Sequence, residues 1–209
     1  MAEGPPAPAL SVSGNSAFKY RIVRLTLRLA ADTLTATTEW EVTMGYTLPE
    51  FLAHAIALET EAAERYAELA DMMEAHNNLD TAEVFRDMAR FSKMHGDEIK
   101  SRARALELPK LMSWQYRWKT PPEVGDENDI HYLMTPYHAL RYARDNEIRG
   151  MEYYKNAAAE SSDPEVRRLG GDFAAEEAEH VVALDKWIEK TPRPSITWSE
   201  DADPAQSVD

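Results

Sequence analysis

Apolar residues recur at spacings of three and four in four separate runs along the second part of the chain, the pattern of helices with one buried stripe. The first run goes from Phe51 to Met73. It is preceded by "TLPE", in which Thr47 is an N-cap, Glu50 its capping-box partner and Pro49 a first-turn residue. The second carries Val84, Phe85, Met88, Phe91, His95 and Ile99, with Asp80 and Glu83 of "DTAE" as its start signal. Thr135 and Pro136 open the third, and Asp163 and Pro164 the fourth. These signals predict helices over about 47–75, 80–106, 135–160 and 163–190. Each close pair is expected to pack antiparallel, because the loops are short. Residues 108–134 contain "PKLMSWQYRWKTPPEVGDENDI", which has prolines and tryptophans but no sustained period. A connection this long exceeds ordinary loops and can span a bundle from end to end, with Trp114 and Trp118 stapling it down.

Every stripe is interrupted by a polar residue. At 100° per residue, Glu177 and His180 share a face with Phe173, Leu184 and Ile188 in "FAAEEAEHVVALDKWI", while Glu176, Glu179 and Asp185 point elsewhere. Glu59 lies on the stripe of Leu52, Ala55, Ala62, Tyr66 and Met73, and Glu61, Glu64 and Glu68 lie off it. Glu147 shares its face with Leu140, Ala143, Gly150, Met151 and Tyr154, and the small residues there leave room between helices. A carboxylate facing a core has to be neutralised, hydrogen-bonded or bound to a cation.

The interruptions repeat. The first helix superposes on the third with an offset of 88, placing Glu59 on Glu147, Glu64 on Glu152 and Tyr66 on Tyr154. The second superposes on the fourth with an offset of 85, placing Met88 on Phe173, Ala89 on Ala174 and His95 on His180. Two helix pairs related by a pseudo-twofold axis would bring these inward groups to one centre, which is how a bundle builds a two-metal carboxylate site.

Composition narrows the chemistry. The 209 residues suffice for one domain with extensions. There is no cysteine, which removes disulfides, thiolate metal sites and cysteine nucleophiles, so a metal would take nitrogen and oxygen ligands. A formal charge of −14 disfavours nucleic acid and anionic membranes and favours cations. No apolar run approaches a membrane span, and Arg21, Arg24 and Arg28 break up the first greasy stretch, so a cytoplasmic location is expected. Residues 1–46 open on a Pro-, Ala- and Ser-rich segment with little to bury and are expected to be disordered, or a mis-assigned extension with Met44 as the true start. The acidic stretch 191–209 is expected to be a flexible tail.

The chain from about 47 to 190 resembles the ferritin-like superfamily, and within it the rubrerythrin-type di-iron carboxylate proteins. The resemblance rests on "ETEAAERY" and "EIRGMEYY", a Glu followed seven residues later by a Tyr, and on "EAEH", a Glu-x-x-His. It implies an all-α, antiparallel four-helix bundle with a long connection between helices two and three. Carried over by position, Glu59, His95, Glu147, Glu177 and His180 match metal ligands, and Tyr66 and Tyr154 match the tyrosines behind them. The second helix departs from the family, having "SKMH" where the family has Glu-x-x-His, so Ser92 takes a carboxylate's place. Glu98, one turn beyond His95, is the candidate to compensate. Gly150 stands where peroxidase-active relatives carry a second glutamate, and the absence of cysteine leaves no rubredoxin-like electron donor.

The resemblance implies iron, one or two per chain, with manganese or zinc as alternatives, and oxidation of Fe(II) by oxygen or peroxide at a site made asymmetric by Ser92. It also implies a homodimer or higher homo-oligomer, no nucleic-acid or membrane partner, and an unidentified external electron donor. Two other readings stand beside it: a metal-sequestering protein without turnover, and a ferritin-like oligomeric interaction module without metal.

Overall fold

A computed structural model describes residues 45–118, 121–125 and 130–195. The predicted disorder of the N-terminal extension therefore lies outside the described residues except at Gly45 and Tyr46, as does most of the acidic tail. The described residues form four long helices and no strand: α1 (Leu48–Ala75), α2 (Leu79–Arg102), α3 (Pro136–Glu160) and α4 (Pro164–Lys190). α1 packs along α2 and α3 along α4, giving the expected four-helix bundle.

Three of the four start signals act as read. Glu50 accepts hydrogen bonds from the Thr47 backbone N–H and hydroxyl at 3.0 and 2.9 Å. Asp163 Oδ1 accepts from the Glu165 N–H at 2.8 Å, and Pro136 and Pro164 are the first residues of their helices. At α2 the cap is Asn78, not Asp80, because a distant segment holds it. Asn78 Nδ2 donates to the Met134 carbonyl at 2.6 Å, and Thr81 Oγ1 donates to the same oxygen at 3.0 Å. The preceding Asn77 turns the chain at φ 56°, a left-handed conformation that asparagine tolerates. α2 also stops at Arg102, short of Leu106, in a turn closed by Leu106 N–H to the Ala103 carbonyl. Beyond the turn, Leu108, which precedes Pro109 and so disfavours helical geometry, packs on the core.

The core has two clusters with the inward carboxylates between them. One gathers Tyr66, Met73, Phe85, Met88, Leu140 and Leu184, and the other Phe51, Leu52, Ile99, Tyr154, Val166 and Phe173. The connection leaves α2 beside the second cluster, through Ala103 and Leu108, and reaches α3 beside the first, through Ile130 and Met134, so it runs the length of the bundle. Trp118 staples it, its ring centroid 5.4 Å from those of both His54 and Tyr153. Trp114 is 77% exposed and does not. Tyr46 belongs to the second cluster and shares a 2.9 Å hydrogen bond with the Tyr153 hydroxyl.

Candidate metal centre

The repeat of inward polar residues becomes one cluster at mid-bundle. Glu59, on α1, and Glu177, on α4, are buried, and Glu147, on α3, is nearly so. His180, one turn along α4 from Glu177, lies with Nδ1 2.9 Å from Glu147 Oε2 and 3.0 Å from Glu177 Oε2. From α2, His95 places Nδ1 3.9 Å from Glu59 Oε1 and stacks its ring on that of His180, centroids 4.5 Å apart and 5° from parallel. The expected departure is visible at Ser92, which is buried and donates its hydroxyl back to the Met88 carbonyl of its own helix at 3.3 Å. Glu98 ion-pairs with Arg102 at 2.6 Å. The tyrosines behind the ligands are both buried; Tyr66 accepts from Asn146 Nδ2 at 2.9 Å, and the Tyr154 hydroxyl has no hydrogen-bond partner among the described residues.

A fourth carboxylate enters from the connection, which sequence reasoning missed. Glu123 is 4% exposed, and one of its oxygens lies within 4.8 Å of ligand atoms of Glu59 and Glu177. Glu147, Glu177 and His180 form a second such group, so Glu177 belongs to both. The signal in the sequence was Gly150. A Cβ there would stand 2.4 Å from Glu123 Oε1, so the space that its missing side chain leaves is filled by Glu123.

The electrostatics follow from burial. Burial first, then the Glu147 charge, pushes Glu59 and Glu177 well above the ordinary carboxylate range, and burial and the Glu59 charge do the same to Glu123. Glu147 is also raised by burial, but hydrogen bonds from His180 and Glu177 overcome that and hold it low. His180 is pushed down by burial and up, by more, through Glu147. His95 is driven down to about 4 by burial and by the His180 charge. Glu59 Oε2 and Glu123 Oε1 are buried and accept no hydrogen bond among the described residues. Such oxygens are costly without a proton or a cation, and a set of carboxylates and neutral imidazoles fits divalent iron, manganese or zinc. A pocket between α2 and α4 opens on the cluster, with Glu98, Arg102 and Glu176 around its mouth and Glu59, His95 and Glu177 deeper in.

A four-helix bundle with inward glutamates on α1 and α3, a histidine on α2 and a Glu-x-x-His on α4 defines a ferritin-like carboxylate protein. Comparison with known proteins gives the family. The Rubrerythrin family model matches residues 50–187, and the chain belongs to that family. A crystal structure of an uncharacterized conserved protein from Magnetospirillum magnetotacticum MS-1 is 89% identical, covering 73% of this chain and 100% of that one, with a TM-score of 0.56. No curated protein matches the chain. Among the described residues no helix is long and apolar enough to cross a membrane.

Proposed function

We propose that the protein is a non-haem iron protein that binds metal through Glu59, His95, Glu147, Glu177 and His180 and oxidises Fe(II) with peroxide or oxygen. The observation that carries this reading is the buried Glu59 Oε2, which has no hydrogen-bond partner among the described residues and lies in a cluster where Glu177 belongs to two potential ligand groups. Iron bound there would supply the one-electron redox chemistry. The chain's own residues bind, orient and exclude. Glu147 and Glu177 fix the His180 ring from one side, and the stacked His95 ring limits its rotation from the other. The apolar clusters flank the site along the bundle axis, and the α2–α4 pocket offers an approach for a small oxidant.

The test is elemental analysis of anaerobically purified protein after Fe(II) addition, followed by stopped-flow oxidation with peroxide and with oxygen. Bound iron that is oxidised faster than free Fe(II) supports the reading. Bound iron without acceleration favours sequestration, and no bound iron favours an interaction module. The reading keeps the homo-oligomer and cytoplasmic location expected above, which light scattering and cell fractionation would check.

A further inference from the structure

We propose that Glu123 is a metal ligand delivered by the α2–α3 connection into the space that Gly150 leaves beside α3, giving the centre a fourth carboxylate where Ser92 offers none. The inference rests on the metal-centre reading above and adds to it the residue that completes the site. Three observations carry it.

The first is placement. Glu123 reaches the group formed with Glu59 and Glu177, whereas Ser92 turns its hydroxyl to Met88 and offers the centre nothing. The second is that the segment is held in position for the purpose. A turn closes Val124 N–H on the Pro121 carbonyl at 3.1 Å, and Arg149 Nε of α3 donates to the Pro122 carbonyl at 2.9 Å. Gly125 passes so near Tyr142 that a Cβ would fall 2.4 Å from its ring. Glu123 is thus fixed on both sides, with its side chain seated over Gly150. The third is the buried Glu123 Oε1, which accepts no hydrogen bond among the described residues. A structural glutamate at 4% exposure would be expected to spend that oxygen on a donor, and a ligand would not.

With Glu123 included, the centre has four carboxylates and two imidazoles, the donor set of a two-metal site. Two ligand groups that share Glu177 would then each hold one metal.

The experiment measures Fe(II) per chain by anaerobic titration and elemental analysis, with thermal midpoints read with and without Fe(II). Four proteins are compared: the parent, Glu123→Gln, Gly150→Ala and Glu177→Ala. Glu123→Gln keeps the shape and removes the charge. Gly150→Ala keeps the charge but displaces it, since its Cβ meets only the far end of a flexible side chain. The expected result is two metals in the parent and one in each of the first two variants, with a smaller Fe(II)-induced rise in midpoint and an unchanged metal-free circular dichroism spectrum. Two metals in both the parent and Glu123→Gln would overturn the role of Glu123 and leave the metal centre standing. One metal in the parent would overturn it as well, as would loss of both metals from Glu123→Gln. No metal in the parent would remove the functional reading and this inference together.

Discussion

The two halves of the bundle repeat one pattern of inward residues and treat equivalent residues in opposite ways. On the α3–α4 side, Glu147, Glu177 and His180 are joined by hydrogen bonds, and Glu147 shifts the imidazole's pKa upward against its burial. On the α1–α2 side, Glu59 has an oxygen without a partner among the described residues, Ser92 is turned away, and His95 is driven to about 4. One substitution accounts for much of this. Without a carboxylate at Ser92, His95 has Glu59 beside it at 3.9 Å, too far for a hydrogen bond, and burial and repulsion from His180 outweigh the pull of Glu147 and Glu98. Under the proposed role of Glu123, the connection supplies the centre with a carboxylate that α2 lacks at Ser92.

The comparison breaks most completely at Glu177, which serves both sides. Glu177→Ala should abolish metal binding, whereas the exposed Glu64→Ala and Glu179→Ala, which remove the same charge, should leave it nearly unchanged. Equilibrium dialysis with Fe(II) reads this directly, and equal loss in all three would mean diffuse binding.

Restoring the family's residue sharpens the contrast. Ser92→Glu introduced into Glu123→Gln should bring back the second metal, because the carboxylate returns to the helix that lost it. Without metal the same change should destabilise the protein by about 2–4 kcal/mol, from crowding and a buried charge. With Fe(II) the order should reverse, since metal bound only to the folded state adds stability by mass action. Denaturant melts in both conditions test the pair of signs.

Next is pH. Glu59, Glu123, Glu177 and His180 have raised folded-state values, so their contribution is present below their unfolded values and is lost as pH rises through the folded ones. His95, lowered from 6.5 to about 4, acts in the opposite direction, its contribution fading as pH falls between those values. Within the cluster the four raised groups stand against His95, while the lowered Glu147 acts only below its unfolded value of 4.5, so the cluster's contribution to the stability of the metal-free protein should fall as pH rises from about 5 to about 7. With metal the sign should flip, because the ligands bind deprotonated. Thermal midpoints across that window, with and without Fe(II), measure both slopes.

The smallest effect separates the two tyrosines. Tyr66→Phe strips Asn146 Nδ2 of its acceptor and should cost about 1–2 kcal/mol, whereas Tyr154→Phe removes a hydroxyl without a partner and should be close to neutral. The cause lies in the repeat itself, since the position equivalent to Asn146 in α1 is Leu58. Chemical unfolding of the two variants resolves the difference.

Much of this was legible in the chain. The four helices could be read because capping residues, prolines and apolar periodicity act within one or two turns. The inward placement of Glu59, Glu147, Glu177, His95 and His180 followed from the same periodicity, since a stripe reports which face is buried. The segments that went astray are those whose conformation is set from a distance. Asn78 caps α2 because Met134 is there to receive its amide, Glu98 is taken by Arg102, and Trp114 finds nothing to cover.

By itself the sequence determined the bundle, its duplication, and the loss of a carboxylate at Ser92. Only the tertiary structure decided that Glu123 stands among the carboxylates and that the pKa values of His95 and His180 are shifted in opposite directions. Gly150 indicated room between helices, but a missing side chain does not say what fills its space. The connection has no period to orient Glu123, whose position depends on Arg149, Tyr142 and the gap above Gly150, contacts that exist only once α3 is packed.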